Sequence, residues 1–164
     1  MKILIYGFRP FGKNKRNIAA EIIKTLPKRP GLYKKVFPVE FKRSMFLDTV
    51  NTIKPDVIIG LGQCSRGDKI RIERKAVNLY NERKGGQDKK IIKGNSKYLL
   101  ANIKIKPDSN SYVSYDAGKY VCNYSMYLIA DYAYQNKTKF AFIHIPAKYS
   151  KAKAVNFIKN LLAR

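Results

Sequence analysis

The chain has 164 residues, 45% of them hydrophobic, with 34 Lys and Arg against 11 Asp and Glu for a formal charge of +23. That length suits one domain, spanning residues 1–164, whose core needs no disulfide or metal staple, and the composition excludes a disordered chain. No apolar run reaches the roughly 18 residues a membrane span requires. The N-terminus lacks the long apolar stretch and cleavage site of a secretory signal, so a cytoplasmic protein with no membrane partner is expected. The two cysteines, Cys64 and Cys122, form neither a disulfide framework nor a zinc motif, and no cofactor is expected. The basic residues run from Lys2 to Arg164 and are not gathered in one tail or stripe. That spread favours dispersed, solvated cations, with at most weak, non-specific binding of polyanions. Homo-oligomerisation is left open.

Strand and helix patterns alternate along the chain, which predicts an α/β fold with a mainly parallel, twisted sheet and helices on both faces. Ile3 to Tyr6 reads as a buried strand and is followed by the loop Gly7-Phe8-Arg9-Pro10-Phe11-Gly12. Asn17 is placed to cap a helix whose apolar face is Ile18, Ile22 and Leu26, ended by Pro27. A strand is expected within Gly31 to Phe41. Phe46, Val50 and Ile53 recur at helical spacing before Pro55. Val57 to Gly62 is a second buried strand opening into a loop, and Ile70 to Leu79 is expected to be extended. Lys84 to Lys90 is a polar loop, Tyr98 to Ile105 fits either a short helix or a strand, and Pro107 to Asn110 is a turn. Tyr112 to Tyr115 looks extended. A helix over Tyr120 to Tyr134 should face inward through Met126, Ile129, Ala130 and Ala133. Phe140 to Ile145 is a buried strand closed by Pro146. Ser150 should cap a last helix with Val155, Ile158 and Leu162 inside.

Three residues stand out chemically. His144 is the only histidine and ends an apolar strand, where open α/β sheets place ligands. Cys122 falls at the expected start of a helix, where the N-terminal dipole favours a thiolate. Glu73 lies in an extended segment between Arg71 and Arg74, a setting that also suits a surface carboxylate. Together they have the composition of a Cys-His-acid device, in which a thiolate attacks a carbonyl, His carries the proton and the acid orients the ring. Their spacing alone does not require that they meet.

Three blocks resemble the pyroglutamyl peptidase I family of cysteine peptidases. Met1 to Gly12, with Gly7-Phe8-Arg9-Pro10-Phe11-Gly12, is similar to the family's opening strand and loop. Gly60-Leu61-Gly62-Gln63 with Ile72-Glu73-Arg74-Lys75-Ala76-Val77-Asn78 is similar to the block around its glutamate. Asp116 to Tyr124 and Phe142-Ile143-His144-Ile145-Pro146 resemble its nucleophile and histidine blocks. The order Glu, Cys, His is also the family's. The resemblance implies Cys122 as nucleophile, His144 as base and then acid, and Glu73 as the group that orients the histidine. It implies Phe8, Phe11, Gln63 and Arg83 as substrate-binding residues, and an N-terminal pyroglutamyl peptide as substrate. A lactam ring has two apolar faces and one amide edge, which suits aromatic walls with a few fixed hydrogen bonds. Cys64 matches no family position and reads as structural.

The chain also departs from the pattern. Arg9 replaces an acidic residue. Ser65, Arg71 and Lys75 stand where the family usually has a small residue, Ser or Thr, and an aliphatic residue. Tyr115 stands where Asn is usual. Asn81-Glu82 replaces Asp-Ala, and no Ile-Pro-Asp-Asn follows Arg83. The helix expected between the glutamate and cysteine blocks looks deleted. These changes fall where the pocket is shaped, so pyroglutamate selectivity is expected to be poorer than the family's. The alternative function is a catalytically altered relative that binds nucleic acid or another polyanion through its basic surface.

Overall fold

The computed structural model describes residues 1–83 and 86–163. Its centre is a six-stranded sheet of order β2-β1-β3-β8-β4-β7, formed by β1 (Ile3–Phe8), β2 (Leu32–Phe37), β3 (Val57–Cys64), β4 (Ile70–Glu73), β7 (Ser111–Ser114) and β8 (Lys139–Pro146). Two short strands, β5 (Lys75–Val77) and β6 (Tyr98–Leu100), pair antiparallel in a small separate ribbon. The helices are α1 (Ile18–Thr25), α2 (Arg43–Ile53), α3 (Val121–Asn136) and α4 (Lys151–Leu162).

Side-chain alternation sends successive strand residues to opposite faces of the sheet. On one face Ile3, Ile5, Ile59, Leu61, Ile143 and Ile145 pack with α1 and α4. On the other, Leu4, Tyr6, Phe8, Phe140 and Phe142 pack with α2 and α3. The α/β architecture expected from the sequence is thus the one observed, with helices on both faces. Asn17 caps α1, its side-chain oxygen accepting from the Ala19 and Ala20 amides, and Ser150 caps α4. Among the described residues no helix is long and apolar enough to cross a membrane.

One junction is antiparallel, β4 against β8, while the other four pairings of this sheet are parallel. The cause is the short link between Cys64 and Ile70. A parallel return needs a crossover of about a dozen residues or more, so the chain must double back. It passes over the end of β8 and descends beside it. That return brings the end of β4 back alongside β8, which sets the site.

Several expectations need adjusting. The first strand runs on through Gly7 and Phe8. The extended segment from Ile70 breaks at Arg74 into two strands of different sheets. Tyr98 to Ile105 contains a strand and no helix. Helix α3 is buried around most of its circumference, not on one face, because β5 and β6 cover its outer side. In the polar loop, Lys84 and Gly85 lie outside the described residues, while Lys89 pairs with Tyr80 as an isolated bridge.

Candidate active site

His144 sits near the C-terminal end of β8, on the face toward α2 and α3. In register it lies between Gly62 of β3 and Arg71 of β4. Glu73, two residues after Arg71 on the same face, is fully buried. Its Oε1 lies 2.8 Å from His144 Nδ1. The neighbouring row of the sheet brings Phe142 edge-on to the imidazole, with ring centroids 5.1 Å apart. The ring is therefore held by a carboxylate behind and an aromatic beside it.

Cys122 is the second residue of α3. A Cβ placed on Gly62 would lie 2.8 Å from His144 Nε2 and 2.9 Å from Cys122 Sγ. The thiol and the free ring nitrogen therefore flank one point, separated by less than twice those distances. Gly60, two residues earlier on the same face, is equally close-packed, since its Cβ would lie 2.4 Å from the Phe142 ring. Both glycines are required by close approach: one admits the aromatic core, the other admits the thiol–imidazole pair.

The start of α3 is fixed by Asn123, the residue after the thiol. It is fully buried. Its amide nitrogen donates to the Val77 and Leu79 carbonyls, and its oxygen accepts from the Val77 amide. Ser125 Oγ donates to the Cys122 carbonyl. The N-cap, Tyr120, supplies no side-chain acceptor, so the first-turn amides of α3 keep their donors available beside the thiol.

The electrostatics follow from this enclosure. Burial alone pulls the His144 pKa down, but the adjacent Cys122 thiolate and the Glu73 carboxylate outweigh it and push the imidazole up to about 9. At neutral pH the ring is then favoured as an imidazolium, held between Cys122 and Glu73. Cys64 differs: burial pushes its thiol up, with Arg71 opposing, and a raised pKa makes a poor nucleophile.

A cavity of about 330 Å³ opens over this constellation. Phe8, Phe11 and Gln63 line it together with Cys122 and His144. Phe11 packs against Tyr120 in its wall, centroids 6.0 Å apart. Gln63 spends its side-chain oxygen on the Ile18 amide at 2.9 Å, tying the end of β3 to the start of α1. Arg83 is not brought to the cavity. It is exposed on a turn where its amide donates to Asn81 Oδ1 and its carbonyl accepts from Gly86. Sequence reasoning missed Tyr120 and Cys64 as cavity-lining residues, and missed Asn123 as the anchor of α3. An aromatic two residues before the thiol is the only advance signal for the first, and a polar residue inside an apolar helix stretch the only one for the last.

A thiol, an imidazole and a carboxylate in line, at the C-terminal rim of an open α/β sheet and beneath a small aromatic-walled cavity, is the equipment of a thiol hydrolase. A family model for pyroglutamyl peptidase matches residues 1–156, and the chain belongs to that family. Among its relatives, a pyrrolidone-carboxylate peptidase of Thermosipho melanesiensis is 31% identical, over 92% of this chain and 85% of the relative. One from Finegoldia magna is 35% identical, over 89% and 78%. Among solved structures, pyrrolidone carboxyl peptidase from Thermococcus litoralis superposes with a TM-score of 0.78 at 29% identity, covering 88% of this chain and 76% of that one. Pyroglutamyl peptidase I of Bacillus amyloliquefaciens gives 0.77 at 27% identity, covering 88% and 81%.

Proposed function

We infer that this protein is a working cysteine peptidase that hydrolyses the amide bond following an N-terminal pyroglutamyl residue. The observation that carries the reading is that Cys122 Sγ and His144 Nε2 both crowd the one point where a Gly62 side chain would begin, 2.9 and 2.8 Å from it, with His144 Nδ1 on Glu73. The imidazolium is the counter-ion that holds Cys122 as a thiolate. The thiolate attacks the pyroglutamyl carbonyl carbon, and the oxygen of the tetrahedral adduct takes up negative charge beside the first-turn amides of α3. The carbon–nitrogen bond then breaks as His144 Nε2 delivers its proton to the departing amine, leaving a thioester on Cys122. Water attacks the thioester, His144 takes a proton from it, and pyroglutamate leaves with the thiol restored. Glu73 holds Nδ1–H throughout, so Nε2 stays aimed at the thiol. Phe8, Phe11 and Tyr120 supply apolar walls for the lactam, and Gln63 supplies an amide edge.

The test is release of a chromogenic amine from a pyroglutamyl amide by reduced protein, with and without a thiol-blocking reagent. Turnover that the blocker stops supports the reading. Absence of turnover from a protein whose Cys122 still alkylates removes the pyroglutamyl specificity. The dispersed positive charge calls for no separate function. Exposed charges act over only about 10 Å at 0.1 M salt, so contacts with polyanions are expected to be weak and salt-labile.

A further inference from the structure

The cavity wall contains one cation that the chemistry above does not use. Arg71 lines the cavity alongside Cys122 and His144. It is the register partner of His144 on β4, on the side of the histidine away from β3. Its guanidinium runs along the rim to the 64–66 segment, where Nη2 donates to the Arg66 carbonyl at 3.3 Å. Nε is buried and has no hydrogen-bond partner. Glu73 Oε2 is likewise buried and unpartnered, yet among the described residues Arg71 forms no ion pair with it or with any other carboxylate. The one acidic residue lining the cavity, Asp116, accepts from the Gly118 amide. A guanidinium offers five N–H donors in a planar fork matched to a carboxylate. Here the protein uses one and buries a second, Nε–H, without a partner, and the remaining Nη donors are held at the edge of a cavity with no protein anion to meet them.

Position says what the fork meets. Phe8, Phe11 and Gln63, which wall the lactam site, belong to the β1 and β3 side. His144 lies between, and Arg71 is rooted on β4 beyond it. Under the reaction above, His144 is the group that hands a proton to the leaving amine. With the lactam held on the β1 and β3 side and its carbonyl carbon at Cys122, the residue after the scissile bond extends the other way along the cavity, past His144 toward β4 and Arg71. The geometry points to Arg71 as a specificity-determining residue that selects a carboxylate on the leaving side of that bond. The carboxylate belongs either to the α-carboxyl of a pyroglutamyl dipeptide or to an acidic side chain in the residue after pyroglutamate. This assignment rests on the pyroglutamyl-peptidase reading.

The experiment compares kcat/KM for three substrates: pyroglutamyl-alanine with a free carboxylate, pyroglutamyl-alanine amide with none, and pyroglutamyl-aspartic acid α-amide with only the side-chain carboxylate. The native protein is expected to favour one of the acidic substrates over the neutral amide by about tenfold or more, and the favoured one identifies the source. In Arg71→Gln that ratio should fall toward one. Attraction from the general positive charge would survive the substitution, so an unchanged ratio, or no preference in the native protein, overturns the assignment. A second readout separates this from the peptidase reading. The rate of Cys122 alkylation by iodoacetate relative to iodoacetamide, followed by mass spectrometry, needs no turnover. It should fall several-fold in Arg71→Gln if the fork draws a carboxylate to the thiol, and an equal ratio in both proteins contradicts the proposal even when the native protein is active.

Discussion

The two faces of the sheet are built from the same strands and differ in what they are made of. Toward α1 and α4 the strands present the buried aliphatic residues Ile3, Ile5, Ile59, Leu61, Ile143 and Ile145, with Gln63 polar only at the rim, where it meets the start of α1. Toward α2 and α3 the same strands present aromatic rings, two glycines, and the buried polar residues Glu73 and His144. Branched aliphatic side chains fill space with few geometric demands beyond volume. The aromatic face is more particular: Tyr6 meets Phe8, Phe37, Phe46 and Phe142 edge to face, and that packing ends in the His144 ring. The aliphatic face secures the sheet, while the aromatic face secures the orientation of one imidazole.

If that division is right, substitutions on the two faces should separate activity from stability. The largest effect belongs to Cys122→Ala, expected to lower kcat by about 10⁵-fold, because a nucleophile and its base act as a unit. Glu73→Gln should lower kcat by roughly 10³- to 10⁴-fold through loss of the correct histidine tautomer. Neither change removes apolar packing, so thermal melting should show both variants folded. On the opposite face, Ile158→Ala in α4, fully buried, should destabilise the protein by about 2–5 kcal/mol in chemical denaturation. Its kcat/KM under native conditions should remain close to that of the unsubstituted protein. A large loss of activity there, at retained folding, would break the comparison.

Gly62→Ala sharpens it further. The added methyl would sit 2.6 Å from His144 Cδ2 and 2.9 Å from Cys122 Sγ, so thiol and imidazole must part. A fall in kcat of about 10- to 100-fold is expected, with KM much less changed, since a displacement of about 1 Å suffices for such a loss. Steady-state kinetics that show KM rising with kcat intact would mean that Gly62 shapes the substrate site instead.

The smallest effect is the most specific to the pair. With one histidine in the chain, a proton NMR titration follows His144 alone. Its pKa is raised from 6.5 to about 9, so the folded state binds the proton more tightly than the unfolded one. The stability this contributes is fully present below about pH 6.5 and is lost as pH rises through about 9. Removing either anionic partner, by Cys122→Ala or Glu73→Gln, should bring the titration toward lower pH, and a midpoint unmoved by both would contradict the electrostatic account.

Much of this was legible in the chain. Alternation and capping located the main strands and helices, because residues such as Asn17 and Ser150 act locally. Cys122 and His144 were marked by their places at the start of a helix and the end of a strand. Glu73 was ambiguous, since two neighbouring arginines make a carboxylate look solvated. Its burial comes from the antiparallel return of β4, a consequence of a short link between distant strands that no local pattern records. Cys64 and Tyr120 were overlooked as cavity residues for the same reason. Arg83 was expected near the site from its distance after Glu73, but it is exposed on a turn and does not line the cavity.

The most direct test of the central claim is to mix reduced protein with a pyroglutamyl amide, quench during turnover, and map the adduct by mass spectrometry. The account predicts a pyroglutamyl thioester on Cys122, absent from Cys64, that disappears as free pyroglutamate accumulates and that fails to form in His144→Ala. Release of pyroglutamate with Cys122 alkylated beforehand, or an acyl group found on any other residue, would contradict it.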